Sequence, residues 1–199
     1  MTFWDIIAPL YDTFEIFNKA YGQMIEKVRE HVPQGANVIE LACGTGNISL
    51  AVSDKANKIL CTDISENMLK TASKKAVKRG IYNIEFEKLS IYETGKPDSS
   101  FDVVIASQIL HLLDEPEKAC DEIKRITKGI AIIPVPLLKE GTDWGKFLIK
   151  LYKIFGFKPK YEFDSNSCKL FLEEIGFENF EYFTVHGSIA LGIAVWKKA

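Results

Sequence analysis

The chain has 199 residues, of which 47% are hydrophobic and 26% are charged, and its 25 Lys and Arg against 27 Asp and Glu leave a net charge of −2. At roughly 150 residues per domain, this globular composition predicts one domain over residues 1–199. The near-neutral balance argues against a protein that binds nucleic-acid phosphates, because such domains usually carry a clear basic excess.

The cysteines and the N-terminal sequence limit the class further. The cysteines form no CxxC pair and have no histidine at metal-ligand spacing, so neither structural zinc nor a disulfide framework is expected. They are Cys43, Cys61, Cys120 and Cys168. The first basic residue is Lys19, which is the wrong charge order for a signal peptide, and no apolar run approaches about 18 residues. The sequence therefore predicts a reduced, cytoplasmic protein without a transmembrane segment.

The first predicted element is an amphipathic helix over Glu15–Val32, which we expect to form part of an N-terminal helical lid over residues 1–35. From Asn37 onward, short β-rich runs alternate with helical patterns such as Glu66–Arg79 and Pro116–Thr127. This alternation is typical of crossover units in a mostly parallel sheet. The predicted parallel strands are Asn37–Ala42, Lys58–Thr62, Ile84–Leu89, Phe101–Ala106 and Gly129–Val135.

The region after the fifth strand departs from this alternation. An inserted cap segment is predicted over residues 137–163, with a cap helix at Asp143–Phe155 whose aromatic and aliphatic residues recur at helical spacing. Phe180–His186, a Gly187–Ser188 turn and Ile189–Lys197 predict a terminal hairpin. The predicted fold class is therefore α/β: a doubly wound, Rossmann-like, mostly parallel seven-stranded sheet with an antiparallel C-terminal hairpin strand.

The most informative residues form a glycine loop between the first strand and a helix. Gly44 and Gly46 give the spacing G-x-G-x-x-S, which lacks the third glycine of the dinucleotide fingerprint. Asp63 ends the second strand 19 residues after Gly44, where a carboxylate can accept both ribose hydroxyls of an adenosine. NAD and other adenosyl cofactors fit this pattern equally, and a tight turn without a ligand is the structural alternative.

Glu40 distinguishes between these ligands by its charge. A carboxylate at the carboxyl end of the first strand repels a pyrophosphate and favours a ligand that carries positive charge. S-adenosylmethionine carries an ammonium and a sulfonium, so Glu40 favours this cofactor over NAD. The alternative role for Glu40 is to accept hydrogen bonds from neighbouring backbone amides.

Several motifs together are similar to those of a known family. They are Ala8–Asp12, Glu40–Gly46, Thr62–Leu69, Ser100–Ser107 and Leu110–Leu112. On these motifs the sequence resembles the class I S-adenosylmethionine-dependent methyltransferases, and in particular the small-molecule branch of the ubiquinone and menaquinone biosynthesis methyltransferases. The resemblance spans roughly residues 1–135 and the terminal hairpin. It implies S-adenosylmethionine as cofactor and S-adenosylhomocysteine as product, and it is unspecific for the acceptor.

The resemblance also assigns residues to each part of the cofactor. The methionine portion is assigned to Glu40 and to the backbone of Ala42, Cys43, Gly44 and Gly46, the ribose to Asp63, and the adenine face to Ile64 and Met68. Ser90 and the Ile91 amide are assigned to the adenine edge, where the family often has Gly-Asp-Ala and this chain has Leu89-Ser90-Ile91. Tyr11 resembles a residue that folds over the cofactor, and its alternative role is to pack the first helix against the sheet.

The acceptor is expected at the switch point between the first and fourth strands, where Ser107, Gln108 and His111 emerge, and Ser107 is counted with the cofactor site. Methyl transfer from a sulfonium is an in-line displacement that needs mainly proximity, alignment and a desolvated pocket, so a base is optional. His111 is the candidate catalytic residue, as a proton acceptor, and a structural histidine at a helix start is the alternative. Ser107 stands where a magnesium site would need an aspartate, so metal-free chemistry is expected.

The cap segment carries an aromatic stripe and a basic flank without an intervening acid. The lysines are Lys146, Lys150, Lys153, Lys158 and Lys160. They indicate either a helix packed on the core with a solvated lysine face, or a lid over an apolar or acidic small-molecule acceptor whose lysines attract an acidic group or an anionic membrane surface. The leading hypothesis is a methyltransferase. A non-catalytic adenosyl-ligand sensor or partner subunit and an NAD-dependent oxidoreductase are the alternatives, and both monomer and homodimer stay open.

Overall fold

A computed structural model describes residues 18–154 and 156–198, which form one seven-stranded sheet with helices on both faces. The strands are β1 (Ala36–Leu41), β2 (Ala56–Asp63), β3 (Ile84–Lys88), β4 (Phe101–Ala106), β5 (Thr127–Gly141), β6 (Glu181–Val185) and β7 (Ile189–Lys197). The helices are α1 (Lys19–His31), α2 (Asn47–Val52), α3 (Glu66–Lys78), α4 (Pro116–Ile126), α5 (Asp143–Ile154) and α6 (Ser165–Glu174), with a 3-10 turn at Leu110–Leu112.

The strand order β3-β2-β1-β4-β5-β7-β6 explains where a ligand can bind. Strands β1 to β5 pair in parallel, whereas β7 pairs antiparallel with both β5 and β6. These pairings confirm the predicted doubly wound fold and its terminal hairpin. The order reverses between β1 and β4, and the carboxyl ends of these strands therefore border the crevice in which open α/β sheets bind ligands.

Alternate residues of the central strands contribute to two hydrophobic cores, one on each sheet face. Val103 and Ile105 of β4 belong to the core beneath α1, α2 and α3. Val104 and Ala106 belong to the opposite core, beneath α4 and α6. Because both faces are covered, the strands consist of continuous apolar runs, as the sequence predicted.

The N-terminal helix begins later than its hydrophobic pattern indicated. The Asn18 side chain accepts a hydrogen bond from the Ala20 amide at 3.3 Å and donates to the Ile189 carbonyl at 3.0 Å, which caps α1 and ties it to β7. Residues 1–17, which include Tyr11 and much of the predicted lid, lie outside the described residues.

The region after β4 differs from the prediction in two respects. β5 was predicted to end at Val135, but it continues past Pro136 to Gly141 because antiparallel pairing with β7 extends through Leu137 and, after a register shift, to Gly141. Residues 137–141, predicted as part of the cap segment, therefore belong to the sheet. Helix α6 was not predicted, although Asp164 and Ser167 form a capping box at its start, and this local signal could have identified it.

In the part of the chain that the structure describes, helices are too short or too polar to span a membrane.

Candidate active site

The glycine loop connects β1 to α2 in a left-handed conformation. Gly44 and Gly46 have φ values of +54° and +75°, and Ala42 has a φ of +53°. A Cβ on Gly46 would lie 2.9 Å from Ala72 Cβ, so this position needs glycine for packing as well as for its backbone angle. A Cβ on Gly44 would meet nothing within 4 Å. The loop is thus fixed from below at Gly46 and open at Gly44, which leaves room for a ligand to approach its backbone.

Glu40 is a buried carboxylate at the carboxyl end of β1. Its Oε2 accepts a hydrogen bond from the Ser49 amide at 2.9 Å and another from Ser49 Oγ. Burial raises the pKa of Glu40 from 4.5 to about 7, the Ser49 contacts lower it, and the nearby Asp63 raises it. Glu40 therefore caps the first turn of α2, which is the alternative role that the sequence left open.

Asp63 connects the two loops that follow β1 and β2. Its Oδ2 accepts a hydrogen bond from the Gly44 amide at 2.9 Å, and its Oδ1 accepts one from the Ser65 amide at 2.8 Å. A carboxylate oxygen can accept more than one hydrogen bond, so these bonds are compatible with contacts to ligand hydroxyls. The bond from Gly44 to Asp63 holds the predicted methionine and ribose positions next to each other. This positioning role was not predicted from the sequence.

The residues assigned to adenine lie beside Asp63. Ile64 is 59% exposed, so it can offer an apolar face to a ring, whereas Met68 is buried beneath the surface. Leu89 directly follows β3, and its amide donates a hydrogen bond to the Asp63 carbonyl at 3.3 Å, which brings Ser90 to this side of the site. Ser90 Oγ already accepts a hydrogen bond from the Tyr92 amide at 3.2 Å, and Ile91 is buried.

Ser107 borders the site from β4. Leu41 pairs with Ala106 in the parallel register of β1 and β4, so Ala42 and Ser107 leave adjacent strands at the same level. Ser107 is 9% exposed, and its Oγ has no hydrogen-bond partner among the described residues. A buried hydroxyl without a hydrogen-bond partner lowers the stability of a protein, and a polar ligand in the crevice would provide the missing hydrogen bond.

His111 lies in the 3-10 turn after β4 and is only 3% exposed. Its ring contacts the Phe157 ring at a centroid distance of 6.0 Å, and its carbonyl accepts hydrogen bonds from the Lys160 and Tyr161 amides. Burial lowers the pKa of His111 to about 3, and Nδ1 has no partner among the described residues. These observations favour the structural alternative. For the His111 ring to take a proton from the methyl acceptor, the segment around Phe157 would have to move.

Cys43 contributes its backbone rather than its thiol to the loop. Its amide donates to the Thr62 carbonyl at 2.8 Å, which joins the loop to β2. Burial and the neighbouring Cys61 raise the pKa of the Cys43 thiol well above its usual range, so the thiol stays protonated. Within the described ranges, no group of three or more His, Cys, Asp and Glu side chains is arranged to hold a metal ion.

The arrangement defines a class of protein: an α/β domain with two carboxylates, Glu40 and Asp63, beside a glycine loop at its topological switch point. Residues 39–133 match the family described as "Methyltransferase domain". The chain is 30% identical to the ubiquinone/menaquinone biosynthesis C-methyltransferase UbiE of Rickettsia felis, over 77% of this chain and 73% of that protein. It is 27% identical to the demethylmenaquinone methyltransferase of Leptospira interrogans, over 94% of this chain and 88% of that protein.

The fold has a close counterpart among solved structures. A methyltransferase of Thermotoga maritima, described as a possible histamine N-methyltransferase, superposes with a TM-score of 0.76 over 99% of each chain, at 19% sequence identity. The chain belongs to the class I S-adenosylmethionine-dependent methyltransferases and resembles their ubiquinone and menaquinone biosynthesis branch. The predicted enzyme class is thereby confirmed, and the family implies S-adenosylmethionine as cofactor.

Proposed function

We propose that this enzyme transfers a methyl group from S-adenosylmethionine to a small, lipophilic acceptor of the quinone class, by metal-independent in-line displacement. The observation that best supports S-adenosylmethionine as the cofactor is the pair of acidic side chains, Glu40 and Asp63, around the open backbone at Gly44. The names of the two curated relatives support the acceptor class.

The residues on the crevice fit the parts of this cofactor. Glu40 would attract the ammonium group, and the Gly44 backbone would approach the methionine carboxylate and chain. Asp63 would accept the ribose hydroxyls, since each carboxylate oxygen can accept more than one hydrogen bond. Ile64 would cover one face of the adenine from above Met68, and Ser90 would face its edge. When bound, S-adenosylmethionine supplies a methyl group on a positively charged sulfur. This sulfur is an activated leaving group, because it becomes a neutral thioether when the methyl group is transferred.

The protein's own contribution to catalysis would be alignment and exclusion of water. Ser107 is a buried hydroxyl at the boundary between the cofactor and acceptor sides, so it can orient a polar group there. His111 would act as a positioning residue, because its carbonyl holds the backbone of Lys160 and Tyr161 over the end of β4. An acceptor that is already ionised would need no base, and the proton of a neutral acceptor would pass to bulk water when the methyl group is transferred, in agreement with a side-chain base being optional.

Isothermal calorimetry with S-adenosylmethionine, S-adenosylhomocysteine and NAD tests the cofactor. We expect both sulfur ligands to bind and NAD not to bind. Glu40→Gln keeps an acceptor for the Ser49 amide and removes the charge, so it should weaken S-adenosylmethionine by about tenfold, as one lost charge contact is worth roughly 1.4 kcal/mol. The exposed pair partner Glu85 offers a matched control, Glu85→Gln, which should change nothing.

Incorporation of radiolabelled methyl groups into reduced quinones of increasing chain length tests the acceptor. Turnover with a lipophilic quinol supports the proposal. Cofactor binding without turnover on any acceptor would favour the non-catalytic sensor, and binding of NAD in place of the sulfur ligands would favour the oxidoreductase.

A further inference from the structure

We propose that α5 docks the enzyme onto an anionic lipid bilayer. The proposal deepens the proposed function, because a lipophilic acceptor resides in such a bilayer, but the docking itself is measured without turnover. It commits to lipid as the occupant of an exposed apolar stripe on α5. The argument depends on the exposure of that stripe, on the charges beside it, and on its connection to the active site.

The stripe consists of large apolar side chains that the described structure leaves in contact with solvent. Trp144, Phe147 and Ile154 are 60%, 53% and 79% exposed, and the first two rings stack at a centroid distance of 5.6 Å. A rotation of about 100° per residue places them, with Leu151, within a sector of about 80° on one side of the helix. The opposite side of α5 is buried through Gly145 and Ile149. Exposed patches of this kind mark interaction sites.

Lysines fill the helix sector next to the stripe, which identifies the chemistry of the occupant. Lys146, Lys150 and Lys153 occupy this sector, and Asp143 is the sole acidic residue of α5. Lys153 pairs with Glu162, whereas Lys146 and Lys150 form no ion pair with the described residues. An aromatic stripe bordered by lysines is the pattern of an interfacial helix on anionic lipid, where the lysine stems extend to the headgroups. The chain as a whole carries a net charge of −2, so this attraction is local.

The position of α5 connects this surface to the acceptor side of the active site. Its first turn packs against the β6–β7 hairpin, where a Cβ on Gly145 would overlap the Ser188 carbonyl. After its last turn, the chain reaches Phe157, whose ring contacts His111. The same segment that would lie on the bilayer thus continues directly to the end of β4. A lipophilic acceptor could then enter from the membrane without crossing water.

Vesicle binding provides the test. The full-length protein is mixed with vesicles of phosphatidylcholine alone, or with added phosphatidylglycerol, and the bound fraction is measured by flotation at low and high salt. Two variants remove the proposed contacts: Phe147→Ser with Ile154→Ser, and Lys146→Glu with Lys150→Glu. Two matched controls make the same kinds of change away from α5, on or near α3. Val77→Ser with Tyr82→Ser is the control for the apolar variant, and Lys74→Glu with Lys78→Glu is the control for the charge reversal. Val77 and Tyr82 are 69% and 88% exposed.

We expect binding only to the anionic vesicles, and we expect high salt to weaken it. Lys146→Glu with Lys150→Glu should reduce the vesicle affinity about tenfold or more, because each basic residue near an anionic surface increases the affinity severalfold. Phe147→Ser with Ile154→Ser should also bind the anionic vesicles more weakly, and both control variants should bind them as the wild type does. S-adenosylmethionine affinity should be unchanged in all variants. Equal binding by the variants and the controls, or no preference for anionic lipid, would overturn the docking proposal.

Two other occupants of the stripe would also overturn it, and each has its own readout. In a protein with Trp4→Phe and Trp196→Phe, the fluorescence of Trp144 reports this surface alone. Protection of Trp144 from acrylamide before lipid is added, in a protein that sediments as a monomer, would mean that another part of the same chain covers the stripe. Sedimentation of a dimer that Phe147→Ser with Ile154→Ser dissociates would identify a second copy. Vesicle binding without any S-adenosylmethionine binding would leave the docking intact and refute the proposed function.

Discussion

Replacing Glu40 by glutamine should stabilise the protein at alkaline pH although it removes a group from the active site. The pKa of Glu40 is about 7 in the folded protein against an ordinary value of 4.5. Because the folded pKa is the higher one, the folded state binds the proton more tightly, and stability is lost as pH rises from 4.5 to about 7. At 1.36 kcal/mol per pKa unit, the difference between 4.5 and about 7 lowers the free energy of unfolding by about 3 kcal/mol at high pH. The side chain is buried, so solvent screening does not reduce this value.

Urea denaturation of wild-type protein and Glu40→Gln at pH 5 and at pH 8 measures this effect. The amide resembles the protonated carboxyl, so the two proteins should differ little at pH 5. At pH 8 the variant should be more stable, by about 3 kcal/mol if the Ser49 hydrogen bonds survive. The other titrating groups are common to both proteins and cancel in the comparison. A stability difference that is the same at both pH values would refute the reasoning.

The remaining predictions concern packing and acid stability. Gly46→Ala should cost about 2–4 kcal/mol in urea denaturation, since it adds left-handed strain to a contact with Ala72, whereas Gly44→Ala should cost about 1 kcal/mol and mainly weaken cofactor binding in calorimetry. As pH decreases from 6.5 to 3, the contribution of His111 to stability should fall by up to about 1.4 kcal/mol per pH unit, because the folded protein keeps this ring neutral while the unfolded chain protonates it. Glu40 contributes in the opposite direction but is common to both proteins, so the stability of wild type relative to His111→Gln in urea should decrease as pH falls, and a difference that stays constant would contradict this. Phe177→Ala should lower stability by about 3–5 kcal/mol in thermal unfolding without changing cofactor stoichiometry, and a loss below 1 kcal/mol would show that the buried ring is poorly packed.

The sequence was sufficient for the features that depend on local patterns. The glycine loop was predicted because Gly44 and Gly46 follow a buried strand directly, and α3 was predicted because Glu66–Arg79 has a helical pattern. Its N-cap is also a local feature, since Ser65 Oγ accepts a hydrogen bond from the Met68 amide at 3.2 Å. The antiparallel terminal hairpin was predicted because a short turn between two strands forces antiparallel pairing. Each of these features is decided within about a dozen residues.

Features that depend on contacts between distant residues were not predicted. His111 was expected to emerge at the acceptor site, but Phe157 covers it from a segment 46 residues further along the chain. Periodicity alone does not indicate which segment will cover a side chain. In the same way, the extension of β5 past Pro136 depends on a partner strand near the end of the chain. The assignment of Asp63 to the ribose did not include its bond to Gly44, because backbone donors are not visible in a residue pattern.

The two acidic residues link cofactor affinity to the stability of the empty protein. Glu40 and Asp63 both accept hydrogen bonds from backbone amides around the glycine loop, so the loop keeps its shape before a ligand arrives. This order is obtained by burying carboxylates near each other, which raises the pKa of Glu40. A ligand with positive charge relieves that cost, whereas a pyrophosphate would increase it. The feature that weakens the empty protein at high pH is therefore the same one that we propose selects a cationic cofactor, and departures from ordinary burial rules of this kind are typical of functional sites.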